Sequence, residues 1–163
     1  VLGGQDPEAE SQCQKFLTSP ETAPISRTAD RDVEADKIAE AWCRRVLLQP
    51  NLPDQIRATV MEGLAYTSEA HVKLGLAERE AETMGMYEEL VMTFPSVPRF
   101  LLRAATWAIE VMDDPEGAVR AIEARIGDLD HDTEEAQNDI ESLKKLLELA
   151  NKRILTKMPK DDL

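Results

Sequence analysis

The stretch PRFLLRAATWAIEVMDDPEGAVRAIEARIG, residues 98–127, decides the fold class. Its first half carries Phe100, Leu101, Ala104, Ala105, Ala108 and Ile109 at helical steps. These positions cover more than one side, and Trp107 faces away from Ile109. A helix over about 98–112 is therefore expected to be central, with neighbours on two sides. Asp113-Asp114-Pro115 reads as a turn, because proline lacks an N–H and suits the first helical position. A shorter helix over about 115–127 follows, with Ala118, Val119, Ile122 and Ile126 apolar and Gly127 as its expected stop. Two helices joined by so tight a turn form an antiparallel pair, and the reading is all-α.

The same pattern continues outward. Upstream, a helix over about 76–94 carries Leu76, Met84, Tyr87, Val91 and Phe94 and ends at Pro95 and Pro98. Before it, about 54–73, Asp54 is a candidate N-cap, Ile56, Val60, Leu64 and His71 share a stripe, and Gly75 marks the break. A helix over about 30–48 places Val33, Ile38, Trp42 and Val46 on one face and ends at Pro50 and Pro53. Downstream, the longest helix spans about 132–157. Asp132 and Glu135 have capping-box-like spacing. Ala136, Ile140, Leu143, Leu147, Ala150 and Ile154 alternate steps of four and three. Leu146 and Leu149 widen that stripe beyond a coiled-coil seam, so docking on a globular body is expected. About six antiparallel helices result, within one helical domain over 29–163. Residues 1–28 hold Pro7, Pro20 and Pro24 without a period and read as an extended N-terminal arm.

Composition agrees with helices. Aromatic residues make up 4% of the 163 residues and hydrophobic residues 42%, so the core must come from Leu, Ile, Val, Met and Ala. The net charge of −13 argues against nucleic acid, which needs a Lys/Arg surface, and against anionic membrane surfaces. No apolar run approaches the ~18 residues of a membrane span. Residues 78–131 hold 12 acids and 5 bases, a net of −7, while 1–28, 29–77 and 132–163 carry −2 each. An acidic middle suits a partner protein with a basic patch; the plainer alternative is a surface kept soluble by like charge. The chain begins at Val1 rather than Met, compatible with a processed mature chain of an organelle lumen or a secreted protein. The end, Lys160-Asp161-Asp162-Leu163, is one residue from a Lys-Asp-Glu-Leu retention signal, a near match that arises easily by chance.

The hairpin over 98–127 resembles a tetratricopeptide repeat. With Ala118 as the small residue that begins the second helix, Leu102, Ala105, Thr106 and Ile109 fall on the first-helix signature positions. Ile122 then takes the aromatic position and Asp130 lies near the terminal proline. Upstream, Gly63-Leu64-Ala65-Tyr66 is similar to the family's Gly-x-x-Tyr, Lys73-Leu74-Gly75 to the inter-helix turn, and Phe94-Pro95 to the repeat's end. The upstream spacing departs from a 34-residue unit, since Pro50 and Pro95 stand 45 residues apart. The resemblance covers about 54–130. It implies stacked helix hairpins with a face that binds a peptide or subunit, closed by the long C-terminal helix as a cap. An irregular helical bundle is the alternative.

Chemistry-bearing motifs are few. His71 lies on an apolar stripe and reads as a core histidine. His131 has no matching Cys/His set for zinc. Asp128-Leu129-Asp130-His131-Asp132 copies the opening of a calcium loop, but Thr133 stands where the turn glycine belongs and Asp139 where a bidentate Glu is needed. Asp30, Asp32, Glu34 and Asp36 read as a solvated helix start. Cys13 and Cys43 could form one disulfide. No catalytic, cofactor-binding or metal-ligating residue is assigned, and no cofactor. The function expected is a non-catalytic protein-binding or scaffold subunit of a larger assembly, with Glu78, Glu82, Glu89, Arg99 and Arg103 as candidate partner-binding residues. Trp42 and Trp107 are core candidates. Two alternatives stay open: an acidic inhibitor or immunity-type protein for a basic enzyme, and a helical enzyme or small-ligand carrier.

Overall fold

In a computed structural model of the protein, residues 6–19 and 31–158 are described, and every helix or strand element among them is helical. Seven α-helices follow in order: α1 Pro7–Thr18, α2 Val33–Leu47, α3 Asp54–Lys73, α4 Glu80–Thr93, α5 Pro98–Glu110, α6 Pro115–Arg125 and α7 Glu134–Lys157. Single 3₁₀ turns, Ala77–Arg79 and Ile126–Asp128, precede α4 and follow α6. No described helix is long and apolar enough to cross a membrane. The all-α expectation holds. The helix count rises from about six to seven because α1 lies where an extended arm was expected. The start of that helix has clear physical causes. Asp6 accepts from the Ala9 N–H at 3.2 Å, Pro7 is the first helical residue, and Glu8 and Glu10 favour the positive end of the dipole.

The chain divides into two compact units, Val1–Met86 and Tyr87–Leu163. Each unit gathers its own buried residues. In the first, Ala9, Cys13 and Phe16 of α1 pack with Cys43 and Val46 of α2, Leu52 of the following loop, and Val60 and Leu64 of α3. Cys13 and Cys43 are disulfide-bonded, with Cα atoms 4.8 Å apart. In the second, α5, α6 and α7 pack on one another. Eight of the thirteen α5 residues are buried, as the two-sided apolar pattern required. Ile122 of α6 and Leu143 of α7 are completely enclosed. Near its C-terminal end α7 also reaches the α5–α6 connection: Arg153 donates to the Ile109 carbonyl at 3.2 Å, and Lys157 reaches Asp113 Oδ1 at 2.7 Å. Asp113 has a positive φ of 51°, which Asp tolerates better than most residues.

Helix ends show where local signals were misread. Asp54 is the first residue of α3 rather than its cap, and Pro53 precedes it without a side-chain bond. Thr133, not Asp132, caps α7, its hydroxyl accepting from the Ala136 N–H at 3.0 Å. Gly127 sits inside a 3₁₀ turn, while the left-handed glycine is Gly75 at φ 105°. There the Leu76 N–H turns back to the His71 carbonyl at 3.1 Å, closing α3.

The expected face of α2 holds in part: Val46 is buried and Val33 and Trp42 are half-buried, but Ile38 is not inward. The expected stripe was Val33, Ile38, Trp42 and Val46. Ile38 is 64% exposed, and the inward residues are Asp36, Glu40, Cys43 and Val46. Cys43 and Val46 meet α1, and turning that face inward carries two carboxylates into the unit.

Candidate functional site

Those two carboxylates enter a buried polar cluster, the principal concentration of chemistry in the first unit. Asp36, Glu40, His71 and Arg79 are all nearly or completely enclosed, His71 at 0% exposure. The elements place them simply. Asp36 and Glu40 stand one turn apart on α2. His71 ends the buried stripe of α3. Gly75 then reverses the chain, so that Arg79, four residues on, comes back beside His71. Glu82 follows in the first turn of α4.

The bonds form one connected network. Arg79 Nη1 and Nη2 donate to the two oxygens of Glu40, each at 2.9 Å. Its Nε and Nη2 donate to the two oxygens of Glu82, at 2.9 and 3.2 Å. The second proton of Nη1 points at His71 Nδ1. A guanidinium has five N–H donors and no acceptor, so Arg79 is fully used. His71 Nδ1 must therefore accept, which leaves Nε2 to carry the ring proton and donate to Asp36 Oδ2 at 2.8 Å. The same Asp36 oxygen accepts from Arg31 Nε at 2.8 Å. Arg44 adds a bond to Glu82 at 3.1 Å. Among the described contacts, three guanidinium groups thus meet three carboxylates around a central imidazole. Below them Thr83 donates to the Arg79 carbonyl at 2.8 Å, so Ser68, 2.6 Å from Thr83, donates to it and ties α3 to α4.

The electrostatics follow from the contacts. Burial works against the Arg79 charge, but its bonds to Glu40 and Glu82 outweigh this and hold the guanidinium above its ordinary value. The Arg79 bond, with help from the Arg79 and Arg44 charges, holds the Glu82 carboxyl below the usual carboxylate range against the effect of burial. A carboxylate depressed in this way stabilises the fold above its unfolded value near 4.5, and that stability disappears as pH falls through the lower folded value. Acid titration of the wild type is accordingly expected to show a loss of first-unit stability below about pH 4.5. Glu82→Gln should be less stable at pH 7 and should show a flatter acid limb in urea melts taken at stepped pH. Coincident acid limbs for the two proteins would show that Glu82 carries none of this dependence.

Chemically, the arrangement fastens α2, α3 and α4 together. An Asp–His pair can orient a general base, but such a base needs its second nitrogen turned toward substrate. Here that nitrogen faces Arg79. Among the described residues no group of three or more His, Cys, Asp or Glu side chains is placed to hold a metal ion.

Sequence reasoning found His71 and its core position but missed the cluster. Asp36 was read as part of a solvated helix start, whereas it is buried. Glu40 and Arg79 drew no attention. A readable signal existed: Asp36, Glu40 and Cys43 at i, i+4 and i+7 put two acids on the same side as a cysteine.

The expected partner-binding residues are dispersed. Glu78 and Glu82 belong to the first unit; Glu78 is exposed and Glu82 is engaged by two arginines. Glu89, Arg99 and Arg103 belong to the second, and all three are exposed. The Arg99 guanidinium lies 4.7 Å over the Phe100 ring. Arg99 and Arg103 also act on Asp139 of α7, partly offsetting burial and the Glu135 charge, which together raise its carboxyl above the ordinary value. Trp107 is buried as expected, 6.3 Å from Tyr87. Trp42 is half-buried under Arg45, whose guanidinium stands 4.8 Å from the ring centroid. Lys160–Leu163 lie outside the described residues. The chain matches no family model, no curated protein and no solved structure.

Proposed function

We propose that this chain is a non-catalytic protein-binding subunit whose contact surface includes the outward flank of α4, and that its partner presents a basic patch. The observation that carries this reading is the composition of that flank. Glu88 and Glu89 on α4 stand exposed, and beside them Met92 is 72% exposed. A flexible apolar side chain among exposed acids suits a basic amphipathic surface. The likeness of residues 54–130 to tetratricopeptide hairpins supports the same reading, because such hairpins present a face to peptides and subunits. The network around Arg79 adds to it, since the buried ionisable groups there are engaged with one another.

The test is crosslinking and recovery of partners from the native source, followed by binding of the purified partner. The combined Glu88→Lys and Glu89→Lys change should weaken binding about tenfold, two rim charges at ~0.5–1 kcal/mol each. Added salt should weaken the wild-type complex in the same direction. A protein that stays monomeric by light scattering, recovers no partner, and is unaffected in cells by the charge reversal would contradict the proposal.

A further inference from the structure

We propose that α1 is a redox-released latch: the Cys13–Cys43 disulfide holds it in a helix-sized groove formed by α2 and α3, and reduction by a dithiol frees it without unfolding the rest of the unit. Besides the disulfide, α1 is held by one short apolar face against α2 and α3. Ala9, Cys13 and Phe16, at i, i+4 and i+7, are buried from α1, and Leu17 packs partly buried beside them. At the rim, Asp6 pairs with Arg45 at 2.8 Å and Glu10 accepts from Gln49 at 3.0 Å. Arg45 is about half exposed, and pairs of that kind contribute little. A helix of 12 residues is itself marginal without docking. The covalent link, closing a loop with a sequence separation of 30, adds to these contacts by restricting the opened chain.

The rest of the unit is fastened elsewhere. The Arg79 network grips the first turns of α2 through Asp36 and Glu40, whereas the disulfide is at Cys43. Release of α1 therefore leaves α2 clamped to α3 and α4 and uncovers Cys43, Val46, Leu52, Val60 and Leu64. The occupant fitted to this groove is α1 itself. The chemistry balances as thiol–disulfide exchange. A thiolate of the dithiol attacks one sulfur, forming a mixed disulfide and releasing the other cysteine as thiolate. The second thiol of the reagent then displaces the remaining cysteine and closes the reagent's own disulfide. Two electrons and two protons pass from the dithiol, and Cys13 and Cys43 both end as thiols. Both cysteines are buried, so the attack proceeds through a local opening of the α1–α2 contact that bares a sulfur while the disulfide is still intact.

Hydrogen exchange read by mass spectrometry on the full chain, oxidised and after dithiothreitol, tests the proposal. Intact mass should first show the oxidised chain two hydrogens lighter than the reduced one. Amides of Glu8–Thr18 are then expected to exchange roughly several hundredfold faster when reduced, the scale set by losing a closed loop of this size. Amides of Thr67–His71 and Arg79–Thr83 should keep their protection. Cys13→Ser, which leaves the groove side intact, should reproduce the reduced pattern without reductant. Three outcomes would overturn the proposal: no disulfide in the purified chain, unchanged α1 protection on reduction, or loss of protection in α1 and α3 together.

Discussion

Replacing Arg79 with methionine is expected to destabilise the first unit by about 3–5 kcal/mol, the cost of leaving a buried charge without its partner. Methionine keeps most of the stem's packing but removes all five donors. Glu40, buried on α2, then loses both of its bonds from Arg79, and His71 Nδ1 loses its donor. A loss of that size is a large part of an ordinary domain's stability. Urea unfolding followed by far-UV circular dichroism would read it directly. Adding Glu40→Gln to the variant should recover part of the loss, because the stranded charge is gone. A change below about 1 kcal/mol, the range of exposed ion pairs, would mean that the network is not a clamp.

Phe100→Ala is expected to cost the second unit about 3–5 kcal/mol, through lost transfer energy and the cavity left behind. Phe100 is among the most deeply buried large side chains, and its ring lies 6.1 Å from that of Phe94. It sits in the first turn of α5, the helix that packs on both α6 and α7, so neighbouring backbone cannot easily collapse onto the gap. Unfolding followed by Trp107 fluorescence, in a Trp42→Phe background so that one tryptophan reports, would measure it. A near-neutral result would mean that the space refills and that α5 is less central than its burial indicates.

These two predictions fall on opposite sides of what the sequence disclosed. Around α5 the pattern was unambiguous. Phe100, Leu101, Ala104, Ala105, Ala108 and Ile109 are apolar, all are buried, and Pro115 starts α6 where its backbone suits a first turn. Hydrophobic period alone suffices when every inward residue is apolar. Around α2 it does not. Charged residues there face inward and Ile38 faces water, because Glu40 is buried against Arg79, a partner thirty-nine positions away. Period-based reasoning assumes that charge means solvent, and a long-range pair reverses that assumption. The α1 error was of another kind. Prolines at positions 7, 20 and 24 suggested an arm, although Asp6-Pro7-Glu8 and Glu10 contain a cap, a first-turn proline and dipole-matched acids. The docking of α1 could not be read locally, because its inward face meets α2 and α3 across residues 20–30.

The cluster also bears on which function class the molecule suits. An enzyme built around His71 would need the imidazole to accept a proton from something other than protein. A binding module can use buried charges to fix helices in place while other charges remain outside. Glu88 and Glu89 are of the second kind, and the acid excess of residues 78–131 includes both.

The account rests on Arg79 and Glu40 being one fastening rather than two independent buried charges. A double-mutant cycle with Arg79→Met, Glu40→Gln and the combined variant, read as urea unfolding free energies at pH 7, measures that coupling. Groups joined in one network show interaction energies of about 0.5–3 kcal/mol. The account predicts that the combined variant loses less than the sum of the single losses by at least about 1 kcal/mol. Losses that add to within about 0.3–0.5 kcal/mol, as they do for distant independent sites, would contradict it.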